Sequence, residues 1–176
     1  METTPTNFEK KKTARKGAFA ELLVKRRLEE KGYQVMGNES SGAHPFDFLA
    51  SKNKVGFFAV DVKAKARRRK YPDTGINTKH LNTYFDFSKN HNMEFRIYFV
   101  DEENSLIYGN TLGALQLPKT INGINYPLRN SGMSKYGTYD ITYFPVDNMD
   151  VIGGITDEER KKLIELTTKN QKYKPS

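Results

Sequence analysis

Residues 45–64 read PFDFLASKNKVGFFAVDVKA, and their spacing decides the fold. Two short apolar runs flank the Ser51 to Gly56 turn region, the pattern of a β-hairpin. In the second run Phe58, Val60 and Val62 alternate with Ala59, Asp61 and Lys63. Side chains two apart on a strand share a face, so Asp61 and Lys63 point the same way. In the first run Phe46, Phe48 and Ala50 alternate with Asp47 and Leu49. Pairing the runs is expected to set Phe46 and Phe48 beside Phe58 and Val60, and to gather Asp47, Asp61 and Lys63 on one side. Charge on an otherwise apolar sheet costs free energy unless something neutralises it. A divalent metal would do so.

Outward from the hairpin, the elements alternate in type. Residues 1–14, with Lys10, Lys11 and Lys12, read as a flexible basic arm. A helix is expected from about Arg15 to Lys31, stopped by Gly32, with Ala18, Phe19, Leu22, Leu23, Val24 and Leu28 on a wide apolar face. Glu21 projects at the edge of that face, where Lys25 at i+4 offers an ordinary surface pairing. A strand near Tyr33 to Met36 and a loop from Gly37 to Gly42 lead into the hairpin. After Lys63 comes a basic run, Lys65, Arg67, Arg68, Arg69 and Lys70. A loop with Pro72 and Gly75 then precedes a helix from about Thr78 to Asn90, with Leu81, Tyr84, Phe85 and Ser88 along one side. Phe95 to Val100 reads as a buried strand, followed by a turn and a strand at Leu106 to Tyr108. This order predicts an α/β fold: a mixed central sheet flanked by helices.

The pattern weakens between Gly109 and Pro127. It recovers in a strand from Thr138 to Val146 and a last helix opened by a capping box, Thr156 with Glu159. The expected organisation is a single domain: a basic arm (1–14), a core (15–110) and a C-terminal extension (111–176) packed on that core.

Composition narrows the partners. Lys and Arg number 29 against 21 acids among 176 residues, a net charge of +8, which favours a polyanion, nucleic acid above all. No apolar run approaches the roughly 20 residues of a membrane-spanning helix, and residues 1–16 lack the apolar segment of a secretory signal. A cytoplasmic location is therefore expected. The absence of cysteine excludes disulfides, thiolate zinc sites and cysteine nucleophiles. His44, His80 and His91 are scattered without metal-ligand spacing. The segment Gly113 to Thr120 resembles a phosphate-binding loop, but Pro118 stands where the second glycine is needed and offers no N–H.

The acids remain. Phosphodiester hydrolysis needs an activated water and neutralisation of charge developing on phosphorus, both of which an oxygen-held divalent ion can supply. Magnesium keeps most of its waters and asks for only one or two carboxylates, which suits Asp47 and Asp61, with Glu21 completing the shell. Lys63 can orient or deprotonate the water and contact the phosphate.

Several segments occur in one order: Arg15-Lys16-Gly17, Glu21, Leu28 to Val35, Ser40-Ser41-Gly42, Pro45-Phe46-Asp47-Phe48 and Asp61-Val62-Lys63. This order resembles the PD-(D/E)xK nuclease superfamily, restriction-endonuclease-like in fold, and most closely its archaeal Holliday-junction-resolvase-like branch. The resemblance spans about Arg15 to Tyr108. It implies a magnesium-dependent endodeoxyribonuclease (manganese substituting) acting on duplex or branched DNA. It also implies Glu21, Asp47 and Asp61 as metal-site acids, Lys63 as catalytic lysine, and Ser41 as the serine preceding the first strand acid. Two departures stand out: Phe46 separates the motif proline from Asp47, and residues 111–176 continue past the shared core. Lys11, Lys12, Arg15, Lys16, Arg67, Arg68, Arg69 and Lys70 are the candidate DNA-backbone contacts. A homodimer is expected if both strands are cut. The rival reading is a DNA- or RNA-binding protein of the same fold without catalysis.

Overall fold

The computed structural model describes residues 6–37 and 44–167, with side chains from Lys12 onward. Helix α1 (Thr6–Glu30) precedes strands β1 (Gln34–Gly37), β2 (Phe48–Lys52), β3 (Gly56–Ala64) and β4 (Asp73–Asn77). Helix α2 (Thr78–His91), β5 (Glu94–Asp101), β6 (Leu106–Thr111) and the single turn α3 (Leu112–Leu115) follow. The chain then runs through β7 (Lys119–Ile121), β8 (Ile124–Tyr126), β9 (Leu128–Ser134), β10 (Gly137–Pro145), β11 (Asp150–Gly154) and α4 (Asp157–Thr167). No helix among the described residues is long and apolar enough to cross a membrane.

The central sheet is mixed, in the order β1-β2-β3-β5-β6-β11. Among the described residues only β3 and β5 pair in parallel, joined by the crossover that carries α2. One face packs on α1 and α4 through Ala20, Leu23, Val24, Leu28, Phe48, Phe58, Val60, Val62 and Leu163. The other packs on α2 and α3 through Ala59, Ile97, Phe99, Leu81, Tyr84 and Leu115. The alternation in β3 thus sends its odd residues, Asp61 and Lys63 included, toward α2. Phe48 pairs with Val60 and Ala50 with Phe58, the expected hairpin register.

Phe46 is a correction. It does not join Phe58 and Val60 but packs at a tilt against Phe87 of α2, ring centroids 5.2 Å apart, on the opposite face. The chain bends at residues 45–47 and β2 begins only at Phe48, so strand alternation does not extend back to Phe46. A second difference lies at the N-terminus. α1 already begins at Thr6, so the expected arm is helical over its second half, where Glu, Lys and Ala favour helix and no breaker intervenes.

The expected loop around Gly75 is strand β4, the edge of a second sheet ordered β4-β10-β9. Its partner lies more than sixty residues downstream, beyond the reach of local pattern reading. Gly75 belongs there for contact rather than for a turn: a Cβ would collide with the Thr142 carbonyl and the Tyr143 ring. The C-terminal extension also completes the central sheet, because β11 pairs with β6. The capping box forms as expected, with Thr156 N donating to Glu159 Oε2 (2.9 Å) and Glu159 N to Thr156 Oγ1 (3.2 Å).

Candidate active site

β3 outruns β2 at the end where the acids sit. Asp47 is the residue just before β2, and its amide donates to the Val60 carbonyl (2.8 Å). Had β2 continued backward, a backbone carbonyl would have met the Val62 amide. Instead Asp47 Oδ2 accepts that amide at 2.6 Å. The side chain ends the ladder and is fixed beside Asp61 in the same stroke.

Asp61 lies on the α2 side of β3, and Lys63 Nζ approaches its Oδ2 at 2.7 Å. This oxygen is fully buried, and the Lys63 ammonium is its charged partner. The buried Tyr84 of α2 closes the site: its ring centroid is 5.6 Å from Lys63 Nζ, and its hydroxyl interacts with both members of the ion pair. Glu21, on α1, feels Asp47 and Asp61 across the open edge. Lys25, the alternative partner of Glu21, lies 5.2 Å over the Phe48 ring and acts on Glu21 only through its field.

The electrostatics follow from burial. Asp61 is pushed up to about 6, first by dehydration and then by Asp47, with Lys63 opposing. Asp47 is raised by burial against the Val62 hydrogen bond and the field of Lys63. Glu21 is raised by burial and by Asp47. Dehydration also works against the Lys63 charge, but Asp61 and Tyr84 outweigh it and its pKa rises. The pair is unequal because the Asp61 side chain is 8% exposed and that of Lys63 28%; burial weighs more on the acid. Three carboxyls all raised toward neutrality form an anionic cluster short of positive charge.

That deficit of positive charge suits a hard cation. Among the described residues, no three His, Asp or Glu side chains converge into a ready-made metal cage. The donor set therefore fits a largely hydrated divalent ion on Asp47 and Asp61, with Glu21 outside the ligand pair, and not a dry three-ligand site. Ser41 lies outside the described residues.

No protein-family model matches the chain, and no curated protein matches it. In structure it is similar to the Holliday junction resolvase Hjc of the archaeon Archaeoglobus fulgidus. They share 13% identity at a TM-score of 0.45, over 72% of this chain and 88% of that one. It is also similar to a nuclease from a fusselovirus, at 12% identity and a TM-score of 0.44, over 95% and 98%.

The basic residues divide by what already holds them. Lys16 is ion-paired to Glu102 at 2.6 Å, and Arg15 beside it is exposed. Arg67 reaches Asn104 (2.9 Å), and Arg69 loosely pairs with Glu103 (3.3 Å). The turn between β5 and β6 therefore ties both basic groups to one edge, beyond the carboxyl end of β3. Arg68 is different: its guanidinium makes a bidentate pair with the fully buried Asp73 (2.6 Å each) and lies 3.8 Å over the Tyr143 ring. Its charge is spent on structure. Lys70 is exposed, Lys12 is half-buried, and the Lys11 side chain lies outside the described residues.

Reading the sequence for function passed over Tyr84, which it placed on a helix face without a role. It also passed over His80, whose pKa is lowered by burial and then by Lys63. Tyr84 lies on the buried side of α2 with Leu81, and His80 is exposed; only knowledge that α2 covers Asp61 gives either position meaning.

Proposed function

We propose that the chain is a magnesium-dependent endodeoxyribonuclease that hydrolyses phosphodiesters in duplex or branched DNA. The observation that carries this reading is the buried Asp61–Lys63 ion pair, set with Asp47 and Glu21 in one electrostatic field of three carboxyls and a single close ammonium. The motif order of the resolvase-like nucleases supports it. Asp47 and Asp61 would hold the ion, and Glu21 would bind its waters. When bound, the ion supplies a more acidic water and neutralises charge on the phosphate.

This chain's own residues define the rest. Lys63, held protonated by Asp61, is a charge and hydrogen-bond donor for the scissile phosphate and the attacking water, not a resting-state base. Tyr84 fixes the rotamers of both members of the pair. Arg15, Arg67, Arg69 and Lys70 edge the same end of the sheet and would carry the flanking phosphates, whereas Lys16, like Arg68, is held by a buried acid; affinity should fall steeply with salt. Nicking of supercoiled plasmid in magnesium, abolished by EDTA, tests the reading directly. Failure of purified protein to nick any DNA form in magnesium or manganese would leave only the binding rival.

Tyr84→Phe separates orientation from packing. The ring keeps its stack on Phe95, centroids 4.6 Å apart, and loses only the hydroxyl. We expect kcat to fall about tenfold, the scale of a group supporting a metal ligand, with Tm and DNA affinity nearly unchanged. An unaltered kcat would remove Tyr84 from the site.

A further inference from the structure

β9 and β10 form an antiparallel hairpin that outlasts its sheet. β4 pairs with β10 only as far as Asn77 opposite Ile141. From Asp140 to Gly137 the hairpin has, among the described residues, no strand on the β4 side, an arm roughly 10 Å long at the usual rise per residue. Residues 129–139 are all exposed. Near its tip stand Met133 and Tyr136, 82% and 86% exposed, with Tyr139 behind them. Lys135 lies 4.9 Å over the Tyr136 ring. Large side chains so bare cost solubility and contribute nothing to the core; their place at a hairpin tip marks a contact surface.

The root of the arm lies against the catalytic helix. Thr78 Oγ1 donates to Asp140 Oδ1 (2.8 Å) and lies 2.9 Å from Thr142 Oγ1. Two residues further along α2, His80 senses the charge of Lys63. On the β3 side, Lys65 Nζ donates to the Gly75 carbonyl (2.8 Å), in the strand that carries β10. The arm therefore springs from beside the end of β3 that presents Asp61 and Lys63.

Charge selects the occupant. Leu128 to Tyr139 contains no acid; Arg129 is taken up by Asp140 at the base (2.6 Å), which leaves Lys135 at the tip as the cation of the arm. The free edge of β9, Leu128-Arg-Asn-Ser-Gly-Met-Ser134, is polar, glycine-containing and guarded by Arg129, features that disfavour pairing with another strand. A polyanion with flat apolar faces fits better.

We propose that the β9–β10 arm contacts DNA next to the scissile phosphate, Tyr136 and Met133 packing on base faces that a continuous duplex hides, and so selects DNA with unstacked bases. The inference rests on the nuclease reading for what is cut, but its test is a binding measurement. Anisotropy of a labelled duplex with a central single-stranded gap is compared with that of the same duplex fully paired, both in calcium. Wild type should prefer the gapped probe. The double variant Met133→Ser/Tyr136→Ser should lose about tenfold on the gapped probe and little on the paired one, while Tyr136→Phe keeps the preference. Equal affinity of wild type for both probes overturns the proposal, as does equal loss on both by the double variant. A wild-type dimer that the double variant turns into a monomer in sedimentation also overturns it, assigning the arm to self-association. If wild type prefers the gapped probe but cuts nothing in magnesium, the arm stands and the nuclease reading falls.

Discussion

On the proposed mechanism, Asp61→Asn is expected to abolish magnesium-dependent cleavage, by a thousandfold or more as an order of magnitude, and to leave DNA binding intact. The substitution keeps shape and removes the charge that would hold the cation, so its effect falls on kcat. It should also stabilise the metal-free protein. Asp61 titrates near 6 in the fold against 3.8 in an exposed chain, so its ionised form is disfavoured by roughly 3 kcal/mol. The sign follows from that order. An acid whose folded pKa is raised leaves the native state less stable above about pH 6, and the penalty fades as pH falls toward 4. The variant should therefore melt higher than wild type at pH 8 and no higher at pH 4. Magnesium should raise the Tm of wild type at pH 8 and not that of the variant. Retained plasmid nicking by Asp61→Asn would remove the site from the mechanism. Equal Tm at both pH values would show that the buried charge carries no cost.

Asp73→Ala strikes the fold rather than the chemistry. The Asp73 carboxylate has no solvent exposure and accepts from Arg68 Nε, Arg68 Nη2 and the Tyr126 hydroxyl, each at 2.6 Å. Removing it strands a guanidinium and a phenol in an apolar setting, a loss of about 3–5 kcal/mol. For a chain of this size the Tm should drop on the order of 10 °C. The β4-β10-β9 sheet should loosen first, since Asp73 heads β4, and amide exchange in β10 would report it. A drop of only a degree or two would mean that water satisfies Arg68 as well as Asp73 does. Arg68→Ala should cost stability before it costs DNA affinity, which sets Arg68 apart from Arg67, Arg69 and Lys70.

The central hairpin was legible because apolar and charged residues alternate over 60–63 beside the apolar run 57–60 and the turn carries Gly56. The same alternation placed Asp61 and Lys63 on one side. α2, β5 and the Thr156 box were readable for equally local reasons: cap chemistry and a continuous apolar run. β4 and β11 were not, because each exists through a partner distant in sequence, and β9, though the local hairpin partner of β10, is polar and glycine-containing and carries no strand pattern of its own. Phe46 misled because alternation holds only where a strand is paired, and the Asp47 carboxylate ends the pairing one residue before β2.

By itself the sequence determined a positively charged α/β chain with an acid-x-lysine pair on a core strand, since charge count and strand periodicity depend on no distant contact. Only the tertiary structure decided that Glu21 and Asp47 share the field of that pair and that Tyr84 closes over it. It alone withdrew Arg68 from the DNA-facing set and set a bare hairpin beside the site. Those facts depend on which elements pack together, and packing is fixed by the summed burial of the whole core, not by any one segment's pattern.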